Sequence, residues 1–406
     1  MVSTRGPLTT FGSLARSFSA ATASLPGPVS VIDLAAFDEN ARTLVARAAG
    51  KPIRLATKSV RVRGLIERAM TNPGFQGLMA YSLAEALWLV SHGFTDVLVA
   101  YPTVDRRSLS VLAGDEHARA QITIMIDSQA HLALIRQAVQ GTPGAGPIRV
   151  ALDIDSSLRI LERTGFPIHV GVRRSPLHSA AEAAQFVAQC ALYPEASVVG
   201  LMFYDAQIAG LGDSNIALRL MKKLSSAELA QRRGEVIAAV STQVAQPIEI
   251  INGGGTGSLH LLAETDTVTE VAAGSGLLHP TLFDSYRGLG QRPAAFYGLD
   301  IVRNPSARHA TAYSGGYIAS GPVGPSRVPS PIDRTLKLIG SEGMGEVQSP
   351  FQIFRGRETP QVGDRVWFRH TKAGEQMERF DTTHCILNFQ VVQSLPTYRG
   401  EGQNFG

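Results

Sequence analysis

The chain has 406 residues, of which 44% are hydrophobic and 18% charged, and a formal net charge of +4. This balance excludes disordered and collagen-like classes and leaves enough apolar side chains for two or three domains, or for one large barrel with a smaller partner. No long Lys/Arg block marks a nucleic-acid partner, and no run of ~18 apolar residues marks a membrane span.

Taken in chain order, the first 32 residues carry no Asp or Glu, and Arg5 and Arg16 lie among Ser, Thr and Ala. This composition is similar to that of a transit peptide, but the preferred reading is a frayed extension, residues 1–26, with a short helix near Phe11 to Phe18. Eight short apolar, β-branched runs follow: Ile53–Thr57, Leu78–Tyr81, Val97–Tyr101, Ile122–Ile126, Ile148–Asp153, Val198–Tyr204, Ile248–Ile251 and Val268–Ala272. Helix-like stretches separate or precede them, at Leu34–Ala48, Leu83–Val90, Ala130–Val139, Ala180–Ala191 and Ile216–Val240. Buried strands alternating with amphipathic helices predict parallel βα units, and eight units in roughly 250 residues match a TIM-type (β/α)8 barrel, placed at residues 27–290. A doubly wound open sheet is the alternative. Past Gly276 the helical periodicity fades. Strand-like runs at Ala295–Val302, Tyr317–Ser320, Thr335–Ile339, Arg365–Arg369 and Ile386–Val392, separated by Gly/Pro/Asn turns, predict a mainly β domain over residues 291–406. The two cysteines, Cys190 and Cys385, are far apart and without metal-type spacing, which fits a reducing cytoplasm.

Two features carry chemistry. Asn252-Gly253-Gly254-Gly255-Thr256-Gly257-Ser258 directly follows the seventh run, and Ala273-Gly274-Ser275-Gly276 follows the eighth. Glycines let backbone N–H groups approach an anion, and the loops after barrel strands 7 and 8 frequently bind phosphate. A plain Gly-rich turn is the bland alternative. The second feature is Lys58, at the end of the first run, where a barrel displays its reactive groups. A lysine and a phosphate cradle at one barrel mouth point to pyridoxal phosphate held as a Schiff base, or to a phosphorylated sugar or aldehyde held by the same lysine.

At this point Arg54-Leu-Ala-Thr-Lys58-Ser59, Gly200-Leu-Met-Phe-Tyr204-Asp-Ala-Gln-Ile-Ala-Gly210, Asn252-Gly-Gly-Gly-Thr256-Gly and Ala273-Gly-Ser-Gly resemble the D-threonine aldolase/D-serine dehydratase group. These are fold-type III pyridoxal-phosphate enzymes with an alanine racemase-like barrel and a C-terminal β domain. The likeness runs from about residue 27 to the C-terminus. The segment from Gly363 through Arg369-His370-Thr371-Lys372 to Pro396-Thr397-Tyr398-Arg399-Gly400 is similar to a branch labelled amino acid deaminase/aldolase.

The resemblance implies that Lys58 forms the Schiff base and moves protons at Cα, with Arg54 or Arg61 nearby to lower its basicity. It further implies that Asn252, Gly254, Gly255 and Thr256, with Gly274 and Ser275, hold the cofactor. Tyr204 then stacks near the ring or reaches the substrate, unless it packs in the core. Arg159 holds a substrate carboxylate or neutralises Asp153 or Asp155. Family members carry a metal-binding His-x-Cys or His-x-Asp where this chain reads His370-Thr371-Lys372. An ammonium cannot ligate a cation, so no metal is expected; Lys372 supplies a fixed positive charge and His370 an acid or base near neutral pH. The alternative is a solvent-facing Lys372 together with a metal held by His370 and His384 or Cys385. Glu342 and Glu346 lie in a turn that either lines a dimer's active site or is a solvated hairpin; Arg173 and Arg174 either steer an acidic substrate or, as preferred, belong to a surface loop.

The implied activity is a pyridoxal-phosphate lyase on β-hydroxy D-amino acids, by dehydration and deamination or by retro-aldol cleavage. An amino acid racemase, with Tyr313, Tyr317 or Tyr398 as the second base, and a non-catalytic pyridoxal-phosphate carrier are the alternatives. A homodimer is expected, since family active sites form between one barrel and the other subunit's β domain.

Overall fold

The computed structural model describes residues 8–160, 168–244, 246–263 and 265–406. It resolves into two compact units. The barrel unit comprises Leu44–Lys58, Met70–Gly274 and Phe405–Gly406; the β unit comprises the residues through Thr43 with Ser59–Ala69 and Ser275–Asn404.

The eight barrel strands are Ile53–Ala56, Phe75–Ala80, Val97–Val99, Ile122–Ile126, Ile148–Asp153, Ala196–Phe203, Ile250–Gly253 and Glu270–Ala273. They pair in parallel, in chain order, and the circle closes where Val271 pairs with Ile53. The apolar runs are continuous rather than alternating because each strand is covered on both faces: all five residues of Ile122–Ile126 are buried. The open-sheet alternative is thereby excluded. Local signals start the helices. Ser82 Oγ accepts the Glu85 N–H at 3.2 Å while the Glu85 carboxylate accepts the Tyr81 N–H at 2.7 Å, and Ser179 with Glu182 forms a full capping box ahead of Ala180–Cys190.

Met79, Leu98, Met125, Ala151, Met202, Ile250 and Ala272 pack together across the barrel, with Ala56 and Ala100 against them. Arg54, two residues before Ala56, is 1% exposed. Its Nε and Nη2 donate to Glu270 at 2.6 and 2.7 Å, and Nη1 and Nη2 donate to Asp96 at 2.9 and 3.0 Å. Burial pulls the guanidinium pKa down, but Glu270 and Asp96 raise it further, so it stays charged. Removing one partner of a buried charge pair leaves the other uncompensated, at about 3–5 kcal/mol. Arg54→Met is therefore expected to lower unfolding free energy by about that much in denaturant titrations. Arg54→Met/Glu270→Leu should recover only part of it, because Asn252 then loses its acceptor on Glu270.

The β unit holds a nine-stranded sheet. Val29–Asp33, which falls inside the segment expected to begin the barrel, pairs antiparallel with Ala295–Ser306 and parallel with Thr382–Leu387. Leu8–Ala21 is a helix whose Phe18 ring lies 5.1 Å from Phe296 and 5.2 Å from Trp367. Trp367 Nε1 donates to Ser19 Oγ at 2.9 Å. Residues 1–7, where Arg5 was noted, lie outside the described residues.

Two sequence expectations are corrected in this unit. Tyr317–Ser320 makes no ladder; the chain there is irregular, with Ala319 N–H on the Arg327 carbonyl. Ile386–Val392 is not one strand but a hairpin, Thr382–Leu387 and Gln390–Pro396, turned by Asn388 (φ +50°) and Phe389 (φ +65°). Positive φ at both central residues is the type I′ geometry that suits twisted strands, and the large Phe389 gives little hint of it.

Candidate active site

Lys58 lies in the single turn Thr57–Ser59 that ends the first barrel strand. Its Nζ donates to the Tyr101 hydroxyl at 2.5 Å and sits 5.2 Å from that ring's centre. Tyr101 follows the third strand by two residues. The Arg174 guanidinium stands 5.8 Å from the Tyr101 ring and 5.6 Å from the Tyr204 ring, so it joins the two tyrosines over the mouth. Tyr204 ends the sixth strand; burial first, then Asp205 and Tyr101, pushes its hydroxyl up to about 12, so it stays protonated. Asp153, at the tip of the fifth strand, is pushed up to about 7 by burial and by Asp127, with Arg174 opposing.

Sequence reasoning placed Lys58 and Tyr204 here but missed Tyr101 and left Arg174 on the surface. Arg159 takes the neutralising role: it donates to Asp155 at 2.6 Å. Burial alone would raise the Asp155 carboxyl, but Ser157 and Arg159 outweigh it and hold it low. Arg54 spends its donors inside the barrel, as described above. Arg61 pairs with Glu378 in the β unit at 2.6 Å. Asn252 is fully buried and donates to Glu270 at 2.7 Å.

The glycine turn follows the seventh strand. Gly254 has φ +81°, and a Cβ there would lie 2.7 Å from Leu262 Cδ1; a Cβ on Gly255 would lie 2.9 Å from Ala209 Cβ. Only glycine fits both the dihedral and the space. Thr256 is buried, and Arg47 donates to its carbonyl at 2.8 Å. Gly274 follows the eighth strand, and Ser275 opens the short helix Ser275–Leu278. The Ser275 hydroxyl shares a 3.0 Å hydrogen bond with Ser59. A lysine ending strand 1 and a side-chain-free turn after strand 7 fit pyridoxal phosphate.

The β unit holds a second group. A cavity of about 320 Å³ is lined by Tyr317, Ser320, His370, Thr371, Lys372 and Glu375, among others. Lys372 Nζ donates to Ser320 Oγ at 2.6 Å and lies 3.4 Å from Glu375; Ser320 also donates to Glu375 through both its hydroxyl and its N–H. His370 is 5% exposed, and neither ring nitrogen makes a hydrogen bond of good geometry, although the Ala295 backbone is close enough to act on it. His384 is occupied with Ser394 at 2.8 Å, and Cys385 is buried at 0% exposure. Among the described residues no three His, Cys, Asp or Glu side chains gather as a metal site. With an ion-paired ammonium two residues from His370, the donor set does not fit a divalent metal.

His370 differs from expectation in one respect. Burial, then Arg369, lowers its pKa to about 3, so it is a neutral imidazole near pH 7 rather than a titrating acid or base. The unfolded chain takes up this proton near pH 6.5, whereas the folded one waits until about 3. Folding stability attributable to His370 is therefore present above pH 6.5 and lost as pH falls toward 3, by about 1.4 kcal/mol per pH unit. His279, lowered by burial to about 4, acts with the same sign, and the raised carboxyls of Asp153 and Asp205 in the barrel act with the opposite one. Unfolding titrations at pH 7 and pH 5 should show His370→Gln less acid-sensitive than wild type.

No curated protein matches the sequence. Among solved structures, D-threonine aldolase from Filomicrobium marinum has a TM-score of 0.77 at 21% identity, covering 93% of this chain and 96% of that one. D-threo-3-hydroxyaspartate dehydratase from Delftia sp. HT23 has a TM-score of 0.68 at 18% identity, with 92% and 97% covered. Alanine racemase from Corynebacterium glutamicum has a TM-score of 0.57 at 16% identity, with 84% and 89% covered. At these identities the likeness carries the fold. The alanine racemase N-terminal domain matches residues 32–279, more than half of the sequence. A closed barrel of eight parallel strands, a following β sheet and this match together establish that the chain belongs to the alanine racemase N-terminal domain family, with the fold-type III architecture.

Proposed function

We propose that this chain is a pyridoxal-phosphate lyase acting on β-hydroxy D-amino acids, by dehydration and deamination or by retro-aldol cleavage. The observation that carries the reading is Lys58 at the mouth of the barrel, its Nζ on the Tyr101 hydroxyl, in the unit that also holds the Gly254–Gly255 turn. When bound, the cofactor supplies an electron sink for negative charge at the substrate Cα.

The chain's own groups divide the remaining work. Lys58 anchors the cofactor covalently and carries the Cα proton. Tyr101 holds Lys58 Nζ in one orientation through its hydroxyl. The turn residues Gly254, Gly255 and Thr256, with Gly274 and Ser275, receive the phosphate; Asn252 supports the strand end. Tyr204, protonated and beside Arg174, offers a ring face and a donor at the mouth. In the β unit, Lys372 places a positive charge for the substrate hydroxyl, and neutral His370 accepts or donates a hydrogen bond there. A homodimer in which the partner's β unit completes each active site fits this division, as does a cytoplasmic location for a chain with two buried, unbridged cysteines. No helix among the described residues is long and apolar enough to cross a membrane.

A racemase is the second reading, favoured by Tyr317, which lines the same cavity as His370. Tyr398 is less suited, being 1% exposed and packed with its N–H on the Arg61 carbonyl. A non-catalytic carrier is disfavoured by the large β unit. Product analysis on D- and L-serine and D-threonine separates these readings. Keto acid and ammonia, or glycine and an aldehyde, support the lyase; stereoinversion alone supports the racemase; no turnover supports the carrier.

A further inference from the structure

The loop from Gly254 to Ser258 is held from behind by side chains that its role as a phosphate cradle does not by itself require. Ser258 is fully buried. Its Oγ accepts the Gly255 N–H at 3.1 Å and donates to Asp205 Oδ1 at 3.2 Å, while its own N–H donates to the Gly255 carbonyl at 2.9 Å. Asp205 is 2% exposed and is reached by the field of Arg233. On the other side, Arg47, in the last turn of Leu34–Ala48, donates to the Thr256 carbonyl at 2.8 Å; its second Nη lies 3.4 Å from His260.

These ties have a geometric consequence. Across a planar trans peptide the carbonyl oxygen and the following N–H point in opposite directions. Arg47 fixes where the Thr256 carbonyl points, and so directs the Gly257 N–H away from the guanidinium. Ser258 consumes the Gly255 N–H and spends its own N–H on the Gly255 carbonyl, so the amide that the Arg47 tie directs for the phosphate is that of Gly257. A cation hydrogen-bonded to a carbonyl also polarises that peptide, which makes its N–H a stronger donor.

We propose that Ser258, oriented by Asp205, and Arg47 are positioning residues that set the Gly254–Ser258 loop to receive the phosphate of pyridoxal phosphate without touching it. The proposal rests on the pyridoxal-phosphate reading above. It assigns Arg47, which no sequence motif singled out, to affinity for the phosphate alone.

The test compares equilibrium binding of pyridoxal phosphate and of pyridoxal, by spectroscopic titration of the full chain, for wild type, Ser258→Ala, Arg47→Met and Arg47→Lys. Ser258→Ala and Arg47→Met should each weaken pyridoxal phosphate by about tenfold or more, the scale of one lost charge-assisted hydrogen bond, and leave pyridoxal binding unchanged. Arg47→Lys, which keeps a charged donor, should retain most of the phosphate preference. If wild type prefers the phosphate and both truncating variants keep that preference, or lose both ligands equally, the positioning roles are overturned and the functional reading stands. If wild type binds pyridoxal as tightly as pyridoxal phosphate, the functional reading falls and the proposal with it.

Discussion

Replacing Lys58 with alanine is expected to abolish covalent attachment of pyridoxal phosphate and to lower turnover by ~10³-fold or more, within the range for removing a positioned proton-transfer group. The expectation follows from the place of the side chain. Lys58 leaves the first barrel strand at its C-terminal end, and its Nζ is already directed by the Tyr101 hydroxyl. Borohydride reduction of the wild-type holoenzyme should fix the cofactor to one peptide containing Lys58, as mass spectrometry will read directly. Recovery of the label on another lysine, with Lys58→Ala still binding covalently, overturns the assignment. Tyr101→Phe should keep the attachment and slow the reaction, because it removes the partner of Nζ and leaves the ring.

The second large effect concerns Lys372. Its ammonium occupies a cavity wall with Ser320, Glu375 and neutral His370. A fixed charge that acts on a developing oxyanion contributes mainly in the transition state, so Lys372→Ala should cut turnover by ~10²-fold or more with little change in cofactor binding. Activity should also survive exhaustive EDTA treatment, since Lys372 stands where a divalent site would need an acidic or thiol donor beside His370. If chelation abolishes activity and Mn²⁺ or Zn²⁺ restores it, the role given to Lys372 is wrong. Glu375→Gln separates charge from geometry: it keeps a hydrogen-bond acceptor for Ser320 while freeing the Lys372 charge.

The barrel was legible because its signal is local. Ile122–Ile126 and Ile148–Asp153 are dense in apolar, β-branched residues, and Lys58 stands out as a charge closing such a run. The glycine turn was legible for the same reason: Gly254 needs a positive φ, and no other residue tolerates both that φ and Leu262 behind it. Tyr101 and Arg174 were not legible. Each sits in a connecting segment, and only the closed barrel brings them to Lys58 and Tyr204. Arg54 misled in the opposite direction. It lies four residues before Lys58, yet its partners Asp96 and Glu270 come from remote strands and draw it into the interior. Likewise, the sequence around His370 shows an ordinary imidazole, and the burial that keeps it neutral exists only once the chain has folded, with Tyr297 and Tyr317 lining the same cavity.

The strand Val29–Asp33 carries a consequence for synthesis. Its neighbours Ala295–Ser306 and Thr382–Leu387 are made long after it, and Ser30 bonds Thr383 across 353 positions. At roughly 5–20 residues per second, the ribosome takes on the order of 20–70 seconds to deliver that partner. By residue 273 every barrel strand has been made, whereas Val29, Val31 and Ile32 gain their first sheet neighbour only with Ala295–Ser306 and their second only with Thr382–Leu387. The order of synthesis therefore predicts a stage in which all barrel strands exist while this apolar strand still has a bare edge. Unpaired strand edges invite association with other chains, so that interval is the vulnerable one in synthesis.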